Sequence, residues 1–214
     1  MKILVTGFDP FDKDTINPAY EAVKKLPDTI LEAKIIKLEI PTSFKRSTQV
    51  IEKAIEEHNP DVILSIGQAG GRNEIDIEKV AINLLEARIE DNDGYQPLDT
   101  PIREDGKTAY FTNLPIKGMV SHIKENKIPA TISYTAGTFV CNSVMYNILY
   151  LIDKKYPNIK GGFIHVPFLP EQVACKNPIP SSMSLDVITR AIELSIEAIV
   201  LNKQDNKLIT GETH

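Results

Sequence analysis

Only two thiols and four imidazoles are available for nucleophilic chemistry: Cys141 and Cys175, with His58, His122, His165 and His214. Cys141 follows a small-residue turn, Thr135-Ala136-Gly137-Thr138, and opens a segment with apolar residues at Val144, Met145, Ile148, Leu149 and Ile152. That spacing is helical, so the thiol belongs at or near the first turn of a helix. A helix N-terminus carries partial positive charge and unpaired N–H groups, which favour a thiolate and can donate to a developing oxyanion. The competing reading is a buried cysteine that acts as a small hydrophobe. A thiol nucleophile also needs a base, and the base needs a group that holds its tautomer. His58 ends a helix before Asn59-Pro60, His122 falls mid-helix on an expected solvated face, and His214 is the last residue. His165 alone ends an apolar strand, GGFIHV (161–166), at the edge where Cys141 is expected; a satisfied core histidine is the alternative. Several acids could orient it, Glu78 among them, and spacing does not choose. Cys175 lies in a Pro-rich stretch with no acid–base neighbour and reads as a structural or spare thiol.

The elements that must position these groups alternate between strand and helix. Residues 2–6 read as a strand ending in Gly7-Phe8-Asp9-Pro10-Phe11, a loop with two aromatic residues where turns are usually polar. Such a pair lines a pocket or plugs the core. Asn17-Pro18 reads as N-cap and first position of a helix to about Leu26. A strand at 34–40 stops at Pro41, a helix follows over 43–58, and 61–66 is a third strand. Residues 78–83 are a possible strand, Pro115 opens a helix to about Asn126, and 130–134 is the strand before the Cys141 helix. Pro167, Pro170, Pro178 and Pro180 leave 167–182 irregular, and Ser184 caps a final amphipathic helix. The polar stretch 90–106 is long for a loop and reads as a lid, an oligomer arm or a mobile segment. This pattern predicts an α/β fold, one domain over residues 1–214, with a mostly parallel twisted sheet and helices on both faces. Ligands of such sheets bind outside the carboxyl ends of the strands. The 7–11 loop, the 67–72 loop, the 135–141 turn and His165 should therefore meet at one edge.

Composition excludes several classes. The net charge is −5 and the basic residues are scattered, which argues against a nucleic-acid groove or an anionic membrane surface. No apolar run approaches the ~20 residues of a membrane-spanning helix, and the N-terminal apolar run enters a turn too early for a signal peptide. Two cysteines without a CxxC pair build neither a disulfide framework nor a zinc site, so no metal or cofactor is expected and a reducing cytoplasm is the natural compartment. The loop Gly67-Gln68-Ala69-Gly70-Gly71-Arg72 after a strand invites a phosphate-binding reading, as in a nucleotide-binding or nucleoside-processing protein. It matches neither G-x-G-x-x-G nor GxxxxGK[ST], and its glycines more simply allow close backbone approach. Gln68 would then offer neutral donors and an acceptor beside a cleft.

Taken together, GFDPF (7–11), NP (17–18), PT (41–42), GQAGGR (67–72), E-x-VAIN (78–83), EARI-x-DN (86–92), QP (96–97), LPIK (114–117), SYTAGTFVCN (133–142), GGFIHVP (161–167) and PEQ (170–172) resemble pyroglutamyl peptidase type I, the pyrrolidone-carboxylate peptidases. The resemblance runs in order along nearly the whole chain. It implies a metal-independent cysteine exopeptidase that removes N-terminal pyroglutamate from peptides and commonly forms homotetramers. Carried onto matching positions, it makes Cys141 the nucleophile, His165 the general base and Glu78 the group that orients it. Phe8, Phe11, Gln68, Phe139 and Val140 resemble the lactam pocket; Asn17, Thr42 and Ile89 lie in segments that also approach it. Arg88 resembles the arginine near the oxyanion. Two positions depart from the pattern: Asp12-Lys13-Asp14 replace the usual glycines after GFDPF, and Glu90 replaces a proline after EARI. An inactive lactam-binding module is the remaining alternative.

Overall fold

The computed structural model describes residues 1–202; His214 lies outside them. In chain order the elements are β1 (Lys2–Phe8), α1 (Pro18–Lys25), β2 (Thr29–Ile30), β3 (Ala33–Ile40), α2 (Arg46–His58), β4 (Val62–Gln68), β5 (Ile75–Glu78), β6 (Val80–Ile82), β7 (Ala109–Phe111), α3 (Ile116–Glu125), β8 (Ala130–Ser133), α4 (Val140–Lys154), β9 (Lys160–Val166), α5 (Pro170–Val173) and α6 (Leu185–Val200). Seven strands form one sheet in the order β2-β3-β1-β4-β9-β5-β8. β1, β4 and β9 are nearly continuous apolar runs because both faces of the sheet are covered. Alternation along β1 divides the core: Ile3 and Val5 join the cluster under α1, α3 and α6, while Leu4 and Phe8 join the one under α2 and α4.

β1 pairs in parallel with β3 and β4, and β4 with β9. β5 and β8 are parallel to each other, but β5 runs antiparallel to β9. The sheet is mostly parallel and mixed. Residues 78–83 are not one strand: Glu78 ends β5, and β6 leaves to form a separate antiparallel ribbon with β7. Within 167–182, α5 forms a single turn with Pro170 at its first position, where the missing N–H is not needed. Ser184 does precede α6, but its side chain makes no capping bond. His122 is mostly buried, not solvated; its Nε2 lies 2.9 Å from Glu197 Oε2, tying α3 to α6.

The stretch 90–106 is pinned. The Asp91 carboxylate accepts from the backbone N–H groups of Phe44, Asp93 and Tyr95, and Asp93 makes a two-pronged pair with Arg46 at the start of α2. Ser43, ahead of α2, accepts from the Arg46 N–H and so serves its N-terminus.

Gly7 sits where β1 passes under α1. A Cβ there would stand 2.6 Å from the Tyr20 Cα and 2.9 Å from the Ala19 carbonyl carbon, both backbone atoms that cannot swing aside. Gly7→Ala is expected to destabilise the fold by about 2 kcal/mol through overpacking, read as a lower urea midpoint with unchanged slope. An unshifted midpoint would show that α1 yields freely.

Candidate active site

Cys141 is the second residue of α4. The helix begins at Phe139, whose side chain makes no capping bond, so the first-turn N–H groups beside the thiol lack intrahelical and side-chain partners. The preceding turn is made by Gly137 at φ 75°, with the Gly137 N–H bonded to Thr135 Oγ1. Thr138 fastens it to the 86–89 segment through its Oγ1 and the Glu86 carbonyl at 2.6 Å. Gly67 leaves the room the thiol occupies: a Cβ there would lie 2.9 Å from Cys141 Sγ and 2.7 Å from the Phe163 ring.

His165 stands beside Gly67 in the β4–β9 register and beside Asp76 across the β5–β9 pair. Glu78, two residues along β5, lies on the same face, and its Oε1 is 2.7 Å from His165 Nδ1. An ionised carboxylate only accepts, so Nδ1 carries the hydrogen and Nε2 is left for the thiol. Cys141 and His165 line the same cavity, close enough for the thiol to act on the imidazole electrostatically. Burial pushes the imidazole down; the charge of Cys141 and the charge and hydrogen bond of Glu78 together outweigh it and raise His165 to about 9. The folded protein thus holds this proton more tightly than the unfolded chain. The resulting stabilisation is present in full below about 6.5 and is lost as pH rises through about 9.

Arg72 completes the cluster, a role the sequence reading did not give it. Its Nη1 donates to Glu78 Oε1 at 3.2 Å and lies 2.7 Å from Asp76 Oδ2, and its Nη2 donates to the Thr135 carbonyl at 3.0 Å. The Asp76 contact is an ion pair, its Oδ2 having no aligned hydrogen-bond donor. Burial lifts the Asp76 carboxyl above its ordinary range despite Arg72, and burial opposes the Arg72 charge while the two acids restore and exceed it. A legible signal was available: Asp76 and Glu78 share one face of a strand whose other face is Ile75 and Ile77, and Arg72 stands in the loop just ahead of it. The guanidinium is occupied by acids and no helix follows β4, so the 67–72 loop lacks the helix N-terminus of a phosphate cradle.

A cavity of about 200 Å³ opens onto the pair, lined by Phe8, Phe11, Asn17, Thr42, Gln68 and Phe139, with Ala69, Arg72, Ala136 and Gly137 added to the expected set. The aromatic wall is braced internally: Phe139 lies 6.2 Å from Phe11 and 5.3 Å edge-on from Phe44. Asn17 and Thr42 hold the 7–11 loop; Asn17 Nδ2 and Thr42 Oγ1 both donate to the Asp9 carbonyl, and the Thr42 N–H donates to Asp9 Oδ1. Asp12 and Lys13 adopt φ of 50° and 69°, left-handed values that suit the glycines they replace. Val140 is fully buried in the core beneath the helix start. Ile89 is half-buried and Arg88 exposed; neither lines the cavity, and the Arg88 guanidinium has no partner among the described residues. Cys175 is exposed and unpaired. A roomier cleft of about 350 Å³ between α2 and α4 has no cysteine or histidine in its lining. Among the described residues, no cluster of three or more His, Cys, Asp or Glu could hold a metal ion, and no helix is long and apolar enough to cross a membrane.

Comparison with known proteins matches residues 1–202 to the pyroglutamyl peptidase family. A pyrrolidone-carboxylate peptidase of Enterococcus faecalis is 59% identical over 214 residues, all of both chains. One from Clostridium perfringens is 60% identical over 211 residues, 99% of each. The crystal structure of pyroglutamyl peptidase I from Bacillus amyloliquefaciens aligns with a TM-score of 0.93 at 47% identity, covering 97% of this chain and 98% of that one. The pyrrolidone carboxyl peptidase of Thermococcus litoralis gives 0.93 at 38% identity with the same coverage. The protein is thus a cysteine-type peptidase. Within that class, the chain belongs to the pyroglutamyl peptidase family.

Arg72→Met leaves Asp76 buried without its cation and Glu78 with His165 alone. A loss of about 3 kcal/mol in unfolding free energy is expected, the low end for breaking a buried pair because Arg72 is partly exposed. Chemical denaturation measures it; a change below about 1 kcal/mol would mean water replaces the guanidinium.

Proposed function

We propose that this chain acts as one peptidase domain that hydrolyses the N-terminal pyroglutamyl residue from peptides through a thioester on Cys141. The observation that carries the reading is the Cys141–His165–Glu78 alignment at a small, aromatic cavity whose lining contains no acid. Pyroglutamate is a neutral lactam without a free α-amine, so its pocket needs no carboxylate to balance a charge. A volume of about 200 Å³ also suits a five-membered ring better than an extended side chain.

In the reaction, Cys141 Sγ attacks the pyroglutamyl carbonyl carbon and the carbonyl electron pair moves onto oxygen. The free N–H groups at the start of α4 receive that oxyanion, and Arg88, exposed on the 86–89 segment that Thr138 fastens to the turn, adds positive charge from outside the cavity. As the tetrahedral species collapses, the C–N bond breaks and His165 gives its proton to the departing amine, leaving a thioester. Water then enters, loses a proton to His165 and attacks the thioester carbon. Collapse of this second tetrahedral species expels the Cys141 thiolate and frees pyroglutamate. Glu78 holds the imidazole in place throughout and balances its charge. We also propose a homotetramer in a reducing cytoplasm. The family resemblance, the exposed Tyr95, Leu98 and Phe111, and the two unpaired thiols support this.

Two measurements test the reaction. Fluorophore release is expected from a pyroglutamyl amide and not from the matching prolyl amide, and Cys141→Ala should abolish it. Release that survives the substitution would remove Cys141 as nucleophile. The proton held by His165 predicts a kcat/KM profile whose alkaline limb falls near pH 9, as the imidazolium needed by the leaving amine is depleted. A limb near 6.5 would contradict the coupling of His165 to Cys141 and Glu78.

A further inference from the structure

Gln68 must turn one end of its amide toward the cavity, and that end decides whether the cavity offers a donor or an acceptor. The surrounding bonds settle the matter from the backbone outward. The Leu169 N–H donates to Gln172 Oε1 at 2.9 Å. A backbone N–H cannot accept, so this end of the Gln172 amide is its oxygen. Its Nε2 points the other way with both hydrogens used, one to Asp14 Oδ2 and one to Gln68 Oε1, each at 2.9 Å. The Asp14 carboxylate, acceptor-only when ionised, imposes the same sense independently. Gln68 therefore faces Gln172 with oxygen and faces the cavity with Nε2, which has no partner among the described residues.

We propose that Gln172 is a positioning residue for substrate selectivity: clamped by Leu169 and Asp14, it locks Gln68 as a donor, so the ring bound there must present a carbonyl oxygen. The inference rests on the lactam reading above and names what enforces it. A pyroglutamyl ring supplies that oxygen next to its ring nitrogen. A prolyl ring has a methylene there and a protonated amine beside it, and would confront Gln68 Nε2 with no acceptor. The clamp also gives the departure at residues 12–14 a structural role. The left-handed Asp12 and Lys13 lead the chain into Asp14, which reaches α5 from a loop 158 residues away in sequence.

Two substitutions separate positioning from bulk. Gln172→Glu keeps an acceptor for the Leu169 N–H but offers Gln68 a second carboxylate oxygen, which drives the Gln68 amide to reverse and show Oε1 to the substrate. Gln172→Met removes both polar links at nearly constant volume and covers the case in which the charged variant does not fold. The experiment measures kcat and KM on pyroglutamyl and prolyl amides, together with the rate of Cys141 alkylation by iodoacetamide. Expected are a rise in pyroglutamyl KM of about tenfold or more for Gln172→Glu and a smaller rise for Gln172→Met. The kcat should stay within about threefold and the alkylation rate within about twofold of wild type, while the preference for pyroglutamyl over prolyl narrows. An unchanged KM in the folded variants overturns the inference. So does a parallel fall in kcat and alkylation rate, because Gln172 would then act through the thiol–imidazole pair or the fold. Absence of pyroglutamyl hydrolysis by the wild type is a different failure: it removes the lactam reading and the inference built on it.

Discussion

A carboxylate with none of its surface in water has to be compensated inside the protein, and Glu78 is such a group. One of its oxygens meets both His165 and Arg72, and the other is buried without a hydrogen-bond partner among the described residues. Removing either cation would leave an uncompensated charge in the core, so three otherwise independent segments are bound to one another. The β4–β5 loop supplies Arg72, β9 supplies His165, and the turn before α4 is anchored by the Arg72 bond to the Thr135 carbonyl. The mixed sheet follows from the same need. A diagonal contact between Glu78 and His165 requires β5 to lie directly against β9, and the short connection after β4 delivers it there in the antiparallel sense.

Around this charged centre the pocket is built from groups already satisfied by the protein. Asp9 is the hub: Asn17, Thr42 and Asn92 all bond to it, so the loop carrying Phe8 and Phe11 is fixed before any ligand arrives. Phe44 braces Phe139 from behind, and Asp91 holds Phe44 by its backbone. A preorganised apolar wall of this kind spares a ligand the ordering that a collapsing loop would demand. The polar information is left to a few outward-facing groups, chief among them the Gln68 amide.

The parts legible in the sequence were those encoded locally. The apolar spacing after Cys141 located its helix, the apolar run ending at His165 located its strand, and Pro18 and Asn17 marked the start of α1. The direction of β5 relative to β9 was not legible, because the residues of a four-residue strand do not specify which neighbour they will join. Glu78 could not be singled out from other acids by spacing alone, since its partner lies 87 residues away. Gln172 stayed silent for the same reason: its meaning resides in Asp14 and Gln68, which only the fold brings to it. His122 misled because a mid-helix histidine looks solvated until α6 packs across it.

The bare start of α4 has a further consequence. A serine or aspartate at Phe139 would strengthen the helix by about 1 kcal/mol, yet its side chain would fill the donors that sit beside the thiol. An oxyanion arriving there would act as the missing cap. Occupancy and helix stability would then be linked, the helix gaining from the oxyanion the cap that its own sequence leaves out. Part of the binding energy for the activated state would in that case be the capping energy that Phe139 does not supply.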